Sequence, residues 1–125
     1  MEGVKRMDES ILLSIKQLLG LEPDLTAFDL DVMVHINTML GVLNQLGIGV
    51  TDFAITGNDE TWGSFLEGSP VPVNEAKTYV YLRVRQLFDP PTSGIVMNAI
   101  DATIQELGWR MTSKVEIEPK LSGGG

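Results

Sequence analysis

The run Val73-Asn74-Glu75-Ala76-Lys77-Thr78-Tyr79-Val80-Tyr81-Leu82-Arg83-Val84-Arg85-Gln86-Leu87-Phe88 decides the fold class. The β-branched residues Val80 and Val84 suit a strand. The spacing does not. Val73, Ala76, Val80, Val84 and Leu87 recur at three- or four-residue intervals, which marks one face of a helix and not the alternation of a strand. Tyr79 and Phe88 flank that stripe. Pro72 stands just before the first turn, where a missing N–H costs little. Asp89-Pro90-Pro91 is a hard stop, because a residue preceding proline is pushed out of the α region.

Outward from this helix the same period returns. Ser93 is a cap for the next one, whose stripe is Val96 or Met97, then Ile100, Ile104, Leu107 and Met111, with Trp109 to one side. Gly108 weakens its last turn by about 1 kcal/mol relative to alanine. Periodicity stops at Ser113. Lys114-Val115-Glu116-Ile117-Glu118-Pro119 alternates polar and apolar residues and reads as a strand-like tail, and Ser122-Gly123-Gly124-Gly125 reads as flexible. The expected division is a helical domain over 8–113 and an extended C-terminal tail over 114–125.

Residues 47–72 are the least regular part, punctuated by Gly47, Gly49, Gly57, Gly63, Gly68, Pro70 and Pro72. Phe53-Ala54-Ile55 fits a short strand or a loop anchor. Trp62 and Phe65, on one side of a single helical turn, are expected to pin this loop. The long helix before it starts at Thr26 or Asp29 and runs to Leu46, with a main stripe of Val32, Ile36, Met39, Leu40, Leu43 and Leu46. Met33, Val34 and Val42 widen its apolar surface, so it is either central or at a subunit interface. Asn37, Thr38, Asn44 and Gln45 form its remaining polar face. A short first helix carries Ile11, Leu12, Ile15, Leu18 and Leu19 on one face, with Asp8 as a candidate N-cap and Gly20 as its stop. The expected fold is therefore all-α: about four main helices, a long middle loop and a C-terminal tail.

A chain of 125 residues holds one domain of this kind. Seventeen acidic side chains against nine basic ones give a net charge of −8, the wrong sign for a free-standing nucleic-acid binder. The excess is uneven: residues 1–62 hold three basic and ten acidic side chains, and residues 63–125 hold six and seven. With no cysteine, thiolate metal sites, disulfides and a Cys nucleophile are excluded. A single histidine excludes a two-His metal site within one chain. No apolar run approaches the roughly 20 residues of a membrane span, and Met1-Glu2-Gly3-Val4-Lys5-Arg6 does not lead into a signal-peptide core. A cytoplasmic start and no membrane partner are expected.

No constellation of catalytic residues stands out. Asp29, Asp31 and His35 form an acid–base cluster only on paper; an exposed Asp–His pair near a helix start is the simpler account. Gly57-Asn58-Asp59-Glu60 lacks the alternating oxygen ligands of a calcium loop and reads as a turn. Arg83, Arg85 and Arg110 sit on otherwise apolar helices. Each is either a stem with its guanidinium at the surface or one half of an ion pair, within the chain or between subunits. No catalytic, cofactor or metal residue is assigned, and no cofactor is expected.

Two segments, Tyr79-Val80-Tyr81-Leu82-Arg83-Val84-Arg85-Gln86-Leu87-Phe88-Asp89-Pro90-Pro91 and Ile104-Gln105-Glu106-Leu107-Gly108-Trp109-Arg110-Met111, resemble small proteins from the head-morphogenesis region of long-tailed bacteriophages and prophages. The short helix Ile11–Leu19, the segment Asp29–Gly47 with His35-Ile36-Asn37, and Thr61-Trp62 with Phe65 fit the same head–tail connector, or head-completion adaptor, family. The resemblance spans about residues 8–112. It implies a helical bundle that forms a ring, typically twelve-fold, below the portal, extends the DNA channel and meets a downstream neck, stopper or tail protein. It implies a virion protein assembled in the host cytoplasm, with no catalytic residues to carry over. It also implies that the C-terminal segment reaches the portal, which makes Lys114, Val115 and Ile117 the candidate contacts. DNA would pass the ring without being held. A monomeric helical adaptor and a DNA-packaging factor are the alternatives.

Overall fold

A computed structural model describes the backbone of residues 8–124 and the side chains of residues 8–116. Five helices follow in order: α1 Ile11–Leu18, α2 Asp29–Gln45, α3 Trp62–Phe65, α4 Val73–Phe88 and α5 Gly94–Gly124. All-α architecture is observed, with four substantial helices and a long loop between α2 and α4.

The hub is α4, which packs on each of the other four helices. Its Val73, Ala76, Val80 and Val84 are buried, and so are Tyr79 and Leu82. Leu87, placed on the stripe by spacing, is 54% exposed because it lies at the last turn, beyond the bundle. Burial on two sides is what a central helix requires. α2, the other candidate for the centre, buries Val32, Ile36, Met39, Leu40 and Leu43 but leaves Val34 exposed.

Helix ends follow local chemistry. Ser10, not Asp8, caps α1: its Oγ accepts from Leu13 N at 3.2 Å. Ser10 also forms an isolated antiparallel bridge with Thr61, which fixes the chain direction entering the helix. α1 and α2 each end in a glycine with φ near +80°, Gly20 and Gly47. At each end the residue after glycine donates back to a carbonyl five positions earlier, Leu21 to Lys16 and Ile48 to Leu43, both at 2.9 Å.

The middle loop is part of the core. Ile48, Ile55, Trp62, Phe65, Leu66 and Val71 are all buried. Phe53-Ala54-Ile55 forms no strand; instead the Asn37 side chain pairs with the backbone of Ile55, accepting from its N–H at 2.8 Å and donating to its carbonyl at 3.0 Å. Asn44 does similar work two turns later, donating to the carbonyls of Ile48 and Val50. Gly49 is required where it is: φ is +83°, and a Cβ there would lie 2.3 Å from the Phe65 ring.

The largest departure concerns the C-terminal tail. Residues 114–124 are not strand-like; they continue α5 to Gly124, passing through Pro119 and leaving no break at 113/114. Six alternating residues do not distinguish the two periods. Val115 settles it, because it extends the stripe Ile100, Ile104, Leu107, Met111 by one more four-residue step and packs against the core. Lys114 forms an ion pair with Glu75 on α4 at 3.1 Å.

Candidate interaction surfaces

Trp62 and Phe65 project from α3 into the core and are fully buried. Thr61 caps α3 by accepting from Ser64 N at 3.1 Å. The Trp62 indole N–H donates to Ser14 Oγ on α1 at 2.8 Å, and Ser14 Oγ donates to the Ile11 carbonyl at 2.9 Å. The loop is thus tied to α1 through backbone, side chain and packing together.

The three arginines have different surroundings. Arg110 pairs with Glu106 one turn earlier on α5, and both are largely exposed. Exposed pairs of this kind contribute little, about 0.3–0.5 kcal/mol. The Arg83 guanidinium lies over the Tyr79 ring, 5.8 Å from its centre. Arg85 makes a long contact with the Tyr81 hydroxyl at 3.5 Å. Neither Arg83 nor Arg85 has a carboxylate within ion-pair distance among the described residues.

Of the three tail residues, Lys114 and Val115 are engaged within the chain. Lys114 reaches both oxygens of Glu75. Val115 lies against the α2 terminus, where a Cβ on Gly47 would be 3.0 Å from its Cγ1. The side chain of Ile117 lies outside the described residues.

The paper cluster near the start of α2 does not come together. Asp29 is committed to Lys16, at 2.7 Å. Asp31 is exposed, and no hydrogen bond joins it to His35 among the described residues. In the 57–60 turn, Glu60 folds back onto Thr56, accepting from its N–H at 3.0 Å and its hydroxyl at 2.8 Å. Burial acts to raise the Glu60 pKa, but hydrogen bonds from the Thr56 hydroxyl and from the backbone of Glu60, Thr56 and Gly57 outweigh it and hold the carboxyl below its usual range.

Lys16 was not singled out by sequence. It is 1% exposed, and its ammonium donates to the carbonyls of Pro23 and Leu25 at 3.0 and 2.7 Å besides pairing with Asp29. The only forewarning was its place one turn after Leu12, at the edge of the apolar arc of α1.

What remains free is surface. Among the described residues, the acidic side chains of the first half divide in two: Glu9, Asp29 and Glu60 are bound to Lys77, Lys16 and Thr56, while Asp8, Glu22, Asp24, Asp31, Asp52 and Asp59 are exposed. Five large apolar side chains stand well out from the bundle: Leu30 at 71%, Val34 at 54%, Leu87 at 54%, Ile95 at 84% and Trp109 at 71%. Scattered apolar residues are ordinary on a surface, but Leu30 and Val34 are one turn apart on α2. Ile95 borders an apolar groove between α4 and α5, lined also by Thr78, Leu82, Val96 and Ala99. No helix among the described residues is long and apolar enough to cross a membrane.

This is a molecule whose evident assets are faces, and the comparisons agree. No curated protein and no solved structure matches the chain. A family model described as phage connector protein matches residues 11–118. A match over so much of the sequence shows that the chain belongs to the phage connector protein family, whose members are structural head–tail proteins.

Proposed function

We propose that the chain is the repeating subunit of a ring in the virion neck, seated below the portal and extending the DNA channel toward a downstream neck, stopper or tail protein. The carrying observation is the exposed apolar surface on α2, α4 and α5, found in a chain that belongs to a connector family. A small structural subunit acts by burying such surface against copies of itself and against its neighbours. The end of α5 is assigned to the portal. Lys114 and Val115 root it on the bundle, and the segment from Ile117 onward makes the contact.

The test is negative-stain microscopy of purified portal mixed with the full-length chain. A closed ring stacked on the portal is expected. Chains truncated after Glu116 keep the Lys114–Glu75 and Val115–Gly47 contacts, so they should retain native circular dichroism while losing portal binding. A single copy per portal would favour the monomeric adaptor instead.

A channel that must release its genome cannot hold it through many phosphate contacts, since every Lys or Arg paired with a phosphate adds counterion-release affinity and a ring repeats each one. The six exposed carboxylates of the first half supply a field that repels duplex DNA, and we assign them to the channel side. Assembled rings should therefore give no mobility shift of duplex DNA at low salt. Binding tighter than about 1 μM, weakening steeply with salt as phosphate contacts do, would favour a packaging factor.

A further inference from the structure

We infer that the α4–α5 groove of one subunit receives the outer face of α2 from the next, with Arg85 of one copy paired to Asp31 of the other. This rests on the ring reading and specifies the contact that would build it.

The two surfaces match in chemistry. The groove is apolar, with Thr78 and Leu82 on one wall and Ile95, Val96 and Ala99 on the other. Arg85 stands one turn beyond Leu82 on the same side of α4, since Thr78, Leu82 and Arg85 follow the i, i+4, i+7 pattern. It has no ion-pair partner among the described residues. The neighbouring carboxylate of Asp101 is taken by Gln86 at 2.7 Å. The groove therefore presents apolar walls with one unmatched cation at its edge.

The outer face of α2 presents the complement. Leu30 and Val34 form a short apolar ridge, and Asp31 is beside it, exposed and without an ion-pair partner among the described residues. Gly41 continues the same line two turns on, and beyond its own helix turn nothing among the described residues comes within 4 Å of where its Cβ would be. The face beyond the ridge is thus low enough to allow close approach of another helix.

Their placement suits a repeating contact. α2 and α4 pack on one another. Val34 lies two residues from both Val32 and Ile36, about 200° around α2 from that buried stripe. Thr78 lies two residues from both Ala76 and Val80, by the same reasoning about 200° around α4 from its buried stripe. The ridge on α2 and the groove between α4 and α5 are therefore two different surfaces of the subunit, as a head-to-tail interface requires.

The absence of cysteine in the chain allows a direct test. The full-length variants Val34→Cys and Ile95→Cys, both at exposed positions, are mixed, assembled on purified portal and oxidised. A disulfide-linked dimer is expected from the mixture and from neither variant alone. A V34C/I95C double variant should give a ladder of higher species. Independently, Arg85→Glu should reduce the yield of rings at least tenfold, and adding Asp31→Arg should restore it. Rings that form normally in both charge variants, with no cross-link between the cysteines, would overturn this interface while leaving the ring itself intact. Wild-type chain that forms no ring on the portal would overturn both.

Discussion

Trp62→Ala is expected to lower the unfolding free energy by about 3–5 kcal/mol. The indole is completely buried beneath α1 and α4. Removing it takes away the largest fully buried side chain in the domain and opens a cavity that the surrounding aliphatic groups can close only in part. The hydrogen bond to Ser14 Oγ is lost with it, leaving a buried hydroxyl with one partner in place of two. A domain of this size is stable by about 5–15 kcal/mol, so the variant should unfold at much lower urea concentration. Trp62→Phe retains much of the volume and loses the hydrogen bond, and should cost less. Fluorescence gives a second readout, because the other tryptophan, Trp109, is 71% exposed. Native W62A should emit like a solvated indole. A urea midpoint within the equivalent of about 1 kcal/mol of wild type would show that the loop is not held by this side chain.

The second large effect belongs to Lys16. Its ammonium donates to two carbonyls, those of Pro23 and Leu25, and pairs by charge with the carboxylate of Asp29 at 2.7 Å. It therefore closes the α1–α2 connection over itself. Lys16→Ala leaves two carbonyls without their donor and a carboxylate without its counter-ion, and also empties the space of the stem. Breaking a buried pair from one side costs about 3–5 kcal/mol. Lys16→Met removes the ammonium with its donors but fills the space of the stem, so it should fall between alanine and wild type. Asp29→Asn should be mildest, because that side chain is 22% exposed and water reaches it. Urea denaturation of the three variants tests the order. Equal stability of K16A and wild type would mean the clasp contributes nothing.

Both effects bear on what could be read before the structure. The helices were legible because burial on one face leaves a periodic trace, clear in Val73, Ala76, Val80 and Val84. Trp62 and Phe65 were legible as anchors of a loop rich in glycine, since large aromatics there have few other uses. Lys16 was not, because a lysine at the edge of an apolar arc is ordinarily a stem along the surface with its head in water. Only the turn at Pro23 and Leu25, folded back over α1, gives it carbonyls to bind. Asn37 and Asn44 were assigned to a polar face for the same reason: their partners are backbone groups 18 and 4–6 residues away. The helical end of α5 is not legible in the sequence, because Val115 and Ile117 alternate with Lys114 and Glu116. The ladder that continues through Val115 depends on which face meets α2 and α4. The docking faces themselves carry no periodic signal; Leu30, Val34 and Ile95 differ from core residues only in where the fold leaves them.

The position of α4 at residues 73–88 has a consequence for synthesis. Every other helix rests on this one, yet α1, α2 and α3 all leave the ribosome before it. Between the end of α2 at Gln45 and the end of α4 at Phe88 lie 43 residues. At about 5–20 residues per second, the nascent chain spends roughly 2–9 s with the stripes of α1 and α2 made but uncovered. α1 and α2 can dock on each other through the Lys16 clasp, but the rest of their buried surface must await the hub. During that interval the same apolar surface that later forms the core can pair with neighbouring nascent chains. Mutations that weaken α4 should therefore lower the yield of soluble subunit before they lower the stability of what is recovered.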